Sequence, residues 1–278
     1  MVENNELDSI LSSNNYLTPS RYISGRIVEY DIKSANISTL RELNVISDEQ
    51  YVRLSKLPKN DREIEIGLMI RQDESIYQNI QKGIKSAKLA LGKANNINPF
   101  SIVRIANDAV YINSNIDLQY TKFGNYIEFK QKSIYNIMLV LDKLIIFLSF
   151  LPNGSFDIDV KGISQEKLIL HENYMLNLIC SIIVLKERTG TLSAINYLSN
   201  ICENYLHYNL PVQYYREFNS DSLYRINYSI PTISESISFY PSIMDISEND
   251  KHCIDINYNY FLLRELWSIL IEFYDMKR

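Results

Sequence analysis

The chain has 278 residues, 46% of them hydrophobic and 22% charged, with a formal net charge of −5 and a pI near 5.4. That length and apolar fraction can bury a substantial core, as one elaborated domain or as two lobes. The acidic balance argues against a large nucleic-acid-wrapping surface, while leaving room for a local basic cleft. Cys180, Cys202 and Cys253 lie far apart and form no CxxC pair. They point to neither a disulfide framework nor a zinc site, and fit a reducing, cytosolic setting. Residues 1–13 lack the basic and apolar regions of a secretory signal. The longest apolar run, residues 137–151, is broken by Asp142 and Lys143. It is too short and too charged to span a membrane, so no membrane association is expected.

In chain order, residues 1–20 carry few spaced apolar positions and read as a loosely packed N-terminal arm. Residues 26–32 are β-prone, with Ile27, Glu29 and Asp31 on one face of the strand and Val28, Tyr30 and Ile32 on the other. Ser47 precedes Gln50 at capping-box spacing. After Pro58 a helix restarts over residues 61–70, with Ile64, Gly67 and Leu68 in helical spacing. Residues 75–94 form a long helix by their apolar positions Ile76, Ile80, Ile84, Ala87, Leu91 and Ala94, ended by an Asn-rich stretch and Pro99. Residues 102–112 read as strand, Asn107-Asp108 turn and strand, because Asn and Asp tolerate the backbone of a two-residue hairpin turn. Further strands are expected over 116–120, 126–130 and 156–163, and the run 137–151 as a buried strand or helix. Helices follow over 166–186 and 192–208, then a loop-rich stretch over 211–247, a strand over 253–258 and a closing helix over 261–274. The class is α+β: an arm (1–20), an α+β domain (21–164) and a mainly helical lobe (165–278).

Asp31 and Asp108 each sit at the end of, or in the turn of, a strand-like apolar run. Two aspartates on neighbouring strands are what two-metal phosphoryl transfer needs, since Mg²⁺ takes a few carboxylates and completes its shell with water and substrate phosphates. Taken singly, each aspartate is better explained by turn chemistry than as a metal ligand; it is the pair, in order and with its flanking sequence, that points to a site. Asp157 and Asp159 form a second carboxylate pair that strand alternation accounts for. His171, His207 and His252 are isolated. Tyr214-Tyr215-Arg216 could stack on bases, although with 21 tyrosines in the chain packing is the stronger explanation.

The segment Asp31-Ile32-Lys33-Ser34-Ala35-Asn36-Ile37-Ser38 resembles motif A of the family B DNA polymerases, Asp-x-x-Ser-Leu-Tyr-Pro-Ser. Asn107-Asp108-Ala109-Val110-Tyr111-Ile112 is similar to the second half of their motif C, Tyr-Gly-Asp-Thr-Asp-Ser-Val-Phe. Lys130-Gln131-Lys132 with Tyr135 resembles their downstream Lys-Lys-x-Tyr segment. The resemblance covers residues 26–135 in order, and implies a polymerase-palm-like antiparallel sheet with packed helices and a thumb-like helical lobe. It makes Asp31 and Asp108 the catalytic ligands of Mg²⁺ or Mn²⁺. Lys33, Ser34 and Asn36 would line the substrate site, with Lys59, Arg62 and Arg71 as positional candidates for grasping a nucleoside triphosphate. Lys130, Lys132 and Tyr135 would contact nucleic acid. Asn36 stands at the family's sugar-gating tyrosine, Ile37 at its proline and Ala106 at the first aspartate of motif C, and no motif B is visible.

Two functions of different class follow. One is a minimal nucleotidyltransferase acting on a nucleoside triphosphate and nucleic acid. The other is a catalytically silent palm relative that binds protein partners in a viral replication or virion assembly. A palm-related cyclase also uses paired carboxylates, but no base pocket is legible. The wealth of Asn, Ile, Tyr and Lys fits an AT-rich genome such as a phage, and hence the host cytoplasm.

Overall fold

The computed structural model describes residues 2–142, 144–162, 174–207, 209–210, 214 and 256–275. The chain divides into two units, Met1–Ile137 and Met138–Arg278. Its class is the expected α+β: an antiparallel sheet with packed helices.

The first unit is organised by β2 (Tyr22–Ile32) and α5 (Ser75–Ala94). Its strands run in the order β1 (Asn15–Leu17), β3 (Ile102–Ala106), β4 (Ala109–Asn113), β2, and β6 (Ile127–Leu141), which begins in this unit; β5 (Lys122–Phe123) pairs with β6. β1–β3, β3–β4 and β2–β4 are antiparallel. Val28, Tyr30 and Ile32 from one face of β2 join Ile105, Val110 and Ile112 in the core. Onto this face pack α1 (Val2–Ser12), α2 (Ala35–Glu42), α3 (Asp48–Ser55), α4 (Lys59–Gln72) and α5.

α5 has the expected bounds, and its stripe Ile76, Ile80, Ile84, Ala87 and Leu91 is buried, while Ala94, expected on the same stripe, is exposed at the end of the last turn. Two glycines let other helices approach it. A Cβ on Gly83 would lie 2.7 Å from the Thr39 Cβ of α2, and one on Gly92 would collide with Leu11 of α1. The Ser47 capping box forms in both directions. The helix expected over 61–70 is α4, but its inward residue is Ile66, while Ile64 and Leu68 are exposed.

Two expectations for this unit are corrected. The arm is packed: Leu11 is fully buried against α5 and β1 joins the sheet, because a few well-placed leucines dock a short helix that has little apolar periodicity. Residues 116–120 are not a strand. Ser114 Oγ binds both the N–H and the carbonyl of Ile116, and Asn95 Oδ1 takes the N–H groups of Gln119 and Tyr120. Such local side-chain bonds draw backbone groups away from a ladder.

In the second unit the apolar run 137–151 is strand: the end of β6 is followed by β7 (Leu144–Phe150), which pairs antiparallel with β8 (Phe156–Lys161). The elements beyond, among the described residues, are the helices α6 (Tyr174–Thr189), α7 (Thr191–Leu206) and α8 (Ile256–Asp275). α7 meets α8 through the stacked rings of Tyr205 and Tyr260, 5.9 Å apart, and through Trp267 Nε1 donating to Ser199 Oγ at 3.1 Å. Residues 256–258, expected as strand, are the first turn of α8. A helix already fixed by Leu262, Leu266, Ile269 and Leu270 extends cheaply once nucleated, so β propensity yields there. Residues 166–173 of the helix expected over 166–186, the stretch 211–247 apart from Tyr214, and residues 253–255 lie outside the described residues. No helix among the described residues is long and apolar enough to cross a membrane.

Candidate functional site: a carboxylate pair in a basic cleft

Asp31 is the penultimate residue of β2 and is in register with Ala109, the first residue of β4. Asp108 immediately precedes Ala109, in the two-residue turn between β3 and β4, where Asn107 takes a left-handed backbone (φ 51°). Antiparallel pairing of β2 with β4 therefore sets the two aspartates side by side. Past Asp31, the Lys33 N–H still donates to the Glu128 carbonyl of β6 at 2.9 Å. The chain then turns through a left-handed Ser34 (φ 50°, ψ 48°) into α2. Ser38 Oγ closes that turn on the Lys33 carbonyl at 2.9 Å.

The pair is electrostatically frustrated. Burial, and then the neighbouring Asp31 carboxylate, push the Asp108 carboxyl up to about 6. Asp31 Oδ1 is buried and accepts no hydrogen bond among the described residues. Lys132 offsets part of this, with Nζ 3.3 Å from Asp31 Oδ2 and 3.1 Å from Glu29 Oε1. Glu29 is buried one pleat before Asp31 on the same face of β2 and accepts from the Tyr135 hydroxyl at 3.0 Å. Burial works against the Lys132 ammonium, yet Glu29 and Asp31 together hold its pKa above the ordinary lysine value.

The carboxylates line a cleft of about 690 Å³, a size suited to a small-molecule ligand. The loop after β2 and the start of α2 contribute Lys33, Ser34 and Asn36; α4 contributes Lys59, Arg62 and Glu63; α5 contributes Tyr77 and Gln81; β6 contributes Lys130 and Lys132. Asn36 Nδ2 donates to Glu63 Oε2 at 2.7 Å, bracing α2 against α4. Five cations thus share the wall with three carboxylates in a chain of net charge −5, so the basic character is local.

Nearly all the residues singled out in the sequence converge here. Arg71 does not line the cleft; it lies exposed in the last turn of α4. Tyr135 is buried beside it on Glu29. Sequence reasoning missed Glu29, Glu63, Tyr77 and Lys88. Lys88 left a signal, since it falls four residues after Ile84 on the buried stripe of α5, a spacing at which lysine is out of place. It has no solvent exposure, and burial pulls its pKa down to about 8, with Asp108 opposing. In the second unit, Asp159 pairs with Lys161 at 2.8 Å. His171, His252, Tyr215 and Arg216 fall outside the described residues. No group of three or more His, Cys, Asp or Glu side chains fit to hold a metal occurs among the described residues.

The fold and cleft define an α+β protein with a carboxylate pair and a ring of cations at one end of an antiparallel sheet. The chain matches the family model described as bacteriophage PBS1 gene 130 protein over residues 9–272. It belongs to that family, and the expectation of a phage protein holds. No curated protein matches it.

Proposed function

We propose that the chain is a metal-dependent nucleotidyltransferase with a palm-like first unit, acting in the host cytoplasm on a nucleoside triphosphate and nucleic acid. The observation that carries this reading is the Asp31–Asp108 pair, with one buried acceptor lacking a donor and one carboxyl raised toward neutrality. Two adjacent carboxylates in that condition fit a divalent cation, which would relieve their repulsion and satisfy Asp31 Oδ1. Bound there, Mg²⁺ or Mn²⁺ would activate the attacking hydroxyl and neutralise charge developing on the phosphates.

The chain's own groups do the rest. Lys59 and Arg62 project from α4 into the cleft and bind the triphosphate oxygens, Arg62 through a fork suited to phosphate. Lys33, beside the turn into α2, adds a third cation. Lys130 lies on β6 toward a nucleic-acid backbone, while Lys132 holds Asp31 and Glu29 in place between turnovers. Tyr77 offers a half-exposed ring against which a base can stack.

A second reading, a catalytically silent palm relative that serves as a binding or structural protein in a viral replication or virion assembly, draws support from the same Lys132–Asp31 ion pair. It neutralises one carboxylate without any metal ion. Primer extension with Mg²⁺ or Mn²⁺ separates the two. The enzyme reading expects extension by the wild type that is abolished in Asp31→Asn and Asp108→Asn. Extension that survives both substitutions overturns it, and no extension by any of the three on primed DNA or RNA favours the silent protein.

A further inference from the structure

Lys88 interrupts the apolar stripe of α5, with its side chain wholly inside the first unit. A buried ammonium persists only where its donors are taken up. Here Nζ donates to the Ser13 carbonyl at 2.5 Å and to the Asn107 carbonyl at 2.9 Å. The Asn107 N–H donates in turn to the Asn14 carbonyl at 2.8 Å. Both backbone polar groups of Asn107 are thereby tied to the segment joining α1 to β1, one directly and one through Lys88. Asn107 is the left-handed residue of the hairpin turn and immediately precedes Asp108, so the orientation of its peptide sets where the Asp108 carboxylate stands.

We propose that Lys88 is a positioning residue for the carboxylate pair: by bridging Ser13 and Asn107 it locks the hairpin turn and holds Asp108 beside Asp31. This rests on the reading of the two aspartates as a cation site. Positioning and plain charge have opposite signs. As a positive charge near Asp108, Lys88 repels a divalent cation, and its removal would tighten binding. As the clamp on the turn, its removal loosens binding by letting the carboxylate drift.

The test is Mn²⁺ binding to the full chain, followed by the resonance of free Mn²⁺, for wild type, Lys88→Met, Lys88→Gln and Asp31→Asn, each checked for folding by near-UV circular dichroism. Lys88→Met keeps length and loses the donors, and is expected to weaken binding about tenfold or more, the usual cost of losing an outer-shell support. Lys88→Gln keeps an N–H donor without the charge and is expected to fall between wild type and Lys88→Met; it carries the test if Lys88→Met does not fold. Binding as tight as wild type, or tighter, in the folded Lys88 variants overturns the proposal while the cation site stands. Wild-type affinity retained in Asp31→Asn overturns the cation site itself, and the positioning role with it.

Discussion

Two pairs of polar side chains at or beside turns of the first unit are treated in opposite ways. Asn95, just past α5, has its amide fully employed: Oδ1 accepts from Gln119 and Tyr120 at 2.9 Å each, and Nδ2 donates to Leu91 at 3.0 Å and Tyr120 at 2.7 Å. Glu42 does similar work at the β5–β6 turn, taking the N–H groups of Asn125 and Tyr126 at 2.9 Å. Asp31, at the end of β2 just before a turn, and Asp108, within one, differ: the first keeps a buried oxygen without a donor and the second is raised by burial and by its neighbour. A turn built only for folding satisfies its polar groups, since an unmet buried acceptor costs about 1–3 kcal/mol. The carboxylate pair leaves that cost standing where a ligand can reach it.

Substitutions at the two places should therefore separate activity from stability. Asp31→Asn is expected to lower metal-dependent incorporation by about three orders of magnitude, roughly 4 kcal/mol of transition-state stabilisation, with the urea midpoint equal to or above wild type. Steady-state extension kinetics beside urea melts check both. Asn95→Ala should do the reverse, costing about 2 kcal/mol of stability for its lost bonds while extension rates stay within about twofold.

The pH dependence sharpens the contrast. Asp108 titrates near 6 in the folded chain against 3.8 for the free side chain. A raised carboxyl binds its proton more tightly when folded, so its contribution favours folding below about pH 4 and is lost as pH rises through 6. With residual solvent screening this amounts to at most about 2 kcal/mol. Urea melts of wild type and Asp108→Asn should diverge progressively across that window and run parallel above it; no divergence would remove the frustration. Ser47→Ala, at the capping box of α3, is the smallest expected effect, about 1 kcal/mol in the same melts with no change in extension.

Local signals made much of this legible in the sequence. The α5 stripe, the Ser47–Gln50 box and the Asn107-Asp108 turn each rest on a few neighbouring residues, and each formed as read but for Ala94, exposed at the end of the stripe. The facing of Glu29 with Asp31 was legible from strand alternation, but the burial of Glu29 was not, because it depends on Lys132 and Tyr135 more than a hundred residues away. Gly83 and Gly92 read as weak points in a helix until α2 and α1 are seen to need the space. Ile64 and Leu68 misled because helical spacing identifies a stripe without saying whether anything covers it. Lys88 showed in the sequence only as a lysine on an apolar stripe: its role was hidden, because its partners are the backbone carbonyls of Ser13 and Asn107, which no side-chain pattern advertises.

The central claim is that Asp31 and Asp108 together form a cation site. Calorimetric Mn²⁺ titration of wild type and Asp108→Asn at about pH 5.5 and about pH 7.5 tests it most directly, because a pair that holds a proton near pH 6 must release it to bind. The account predicts wild-type binding that is clearly tighter at the higher pH and no comparable binding in Asp108→Asn at either. Wild-type protein that binds no Mn²⁺, or a variant that binds it equally well, would contradict the account.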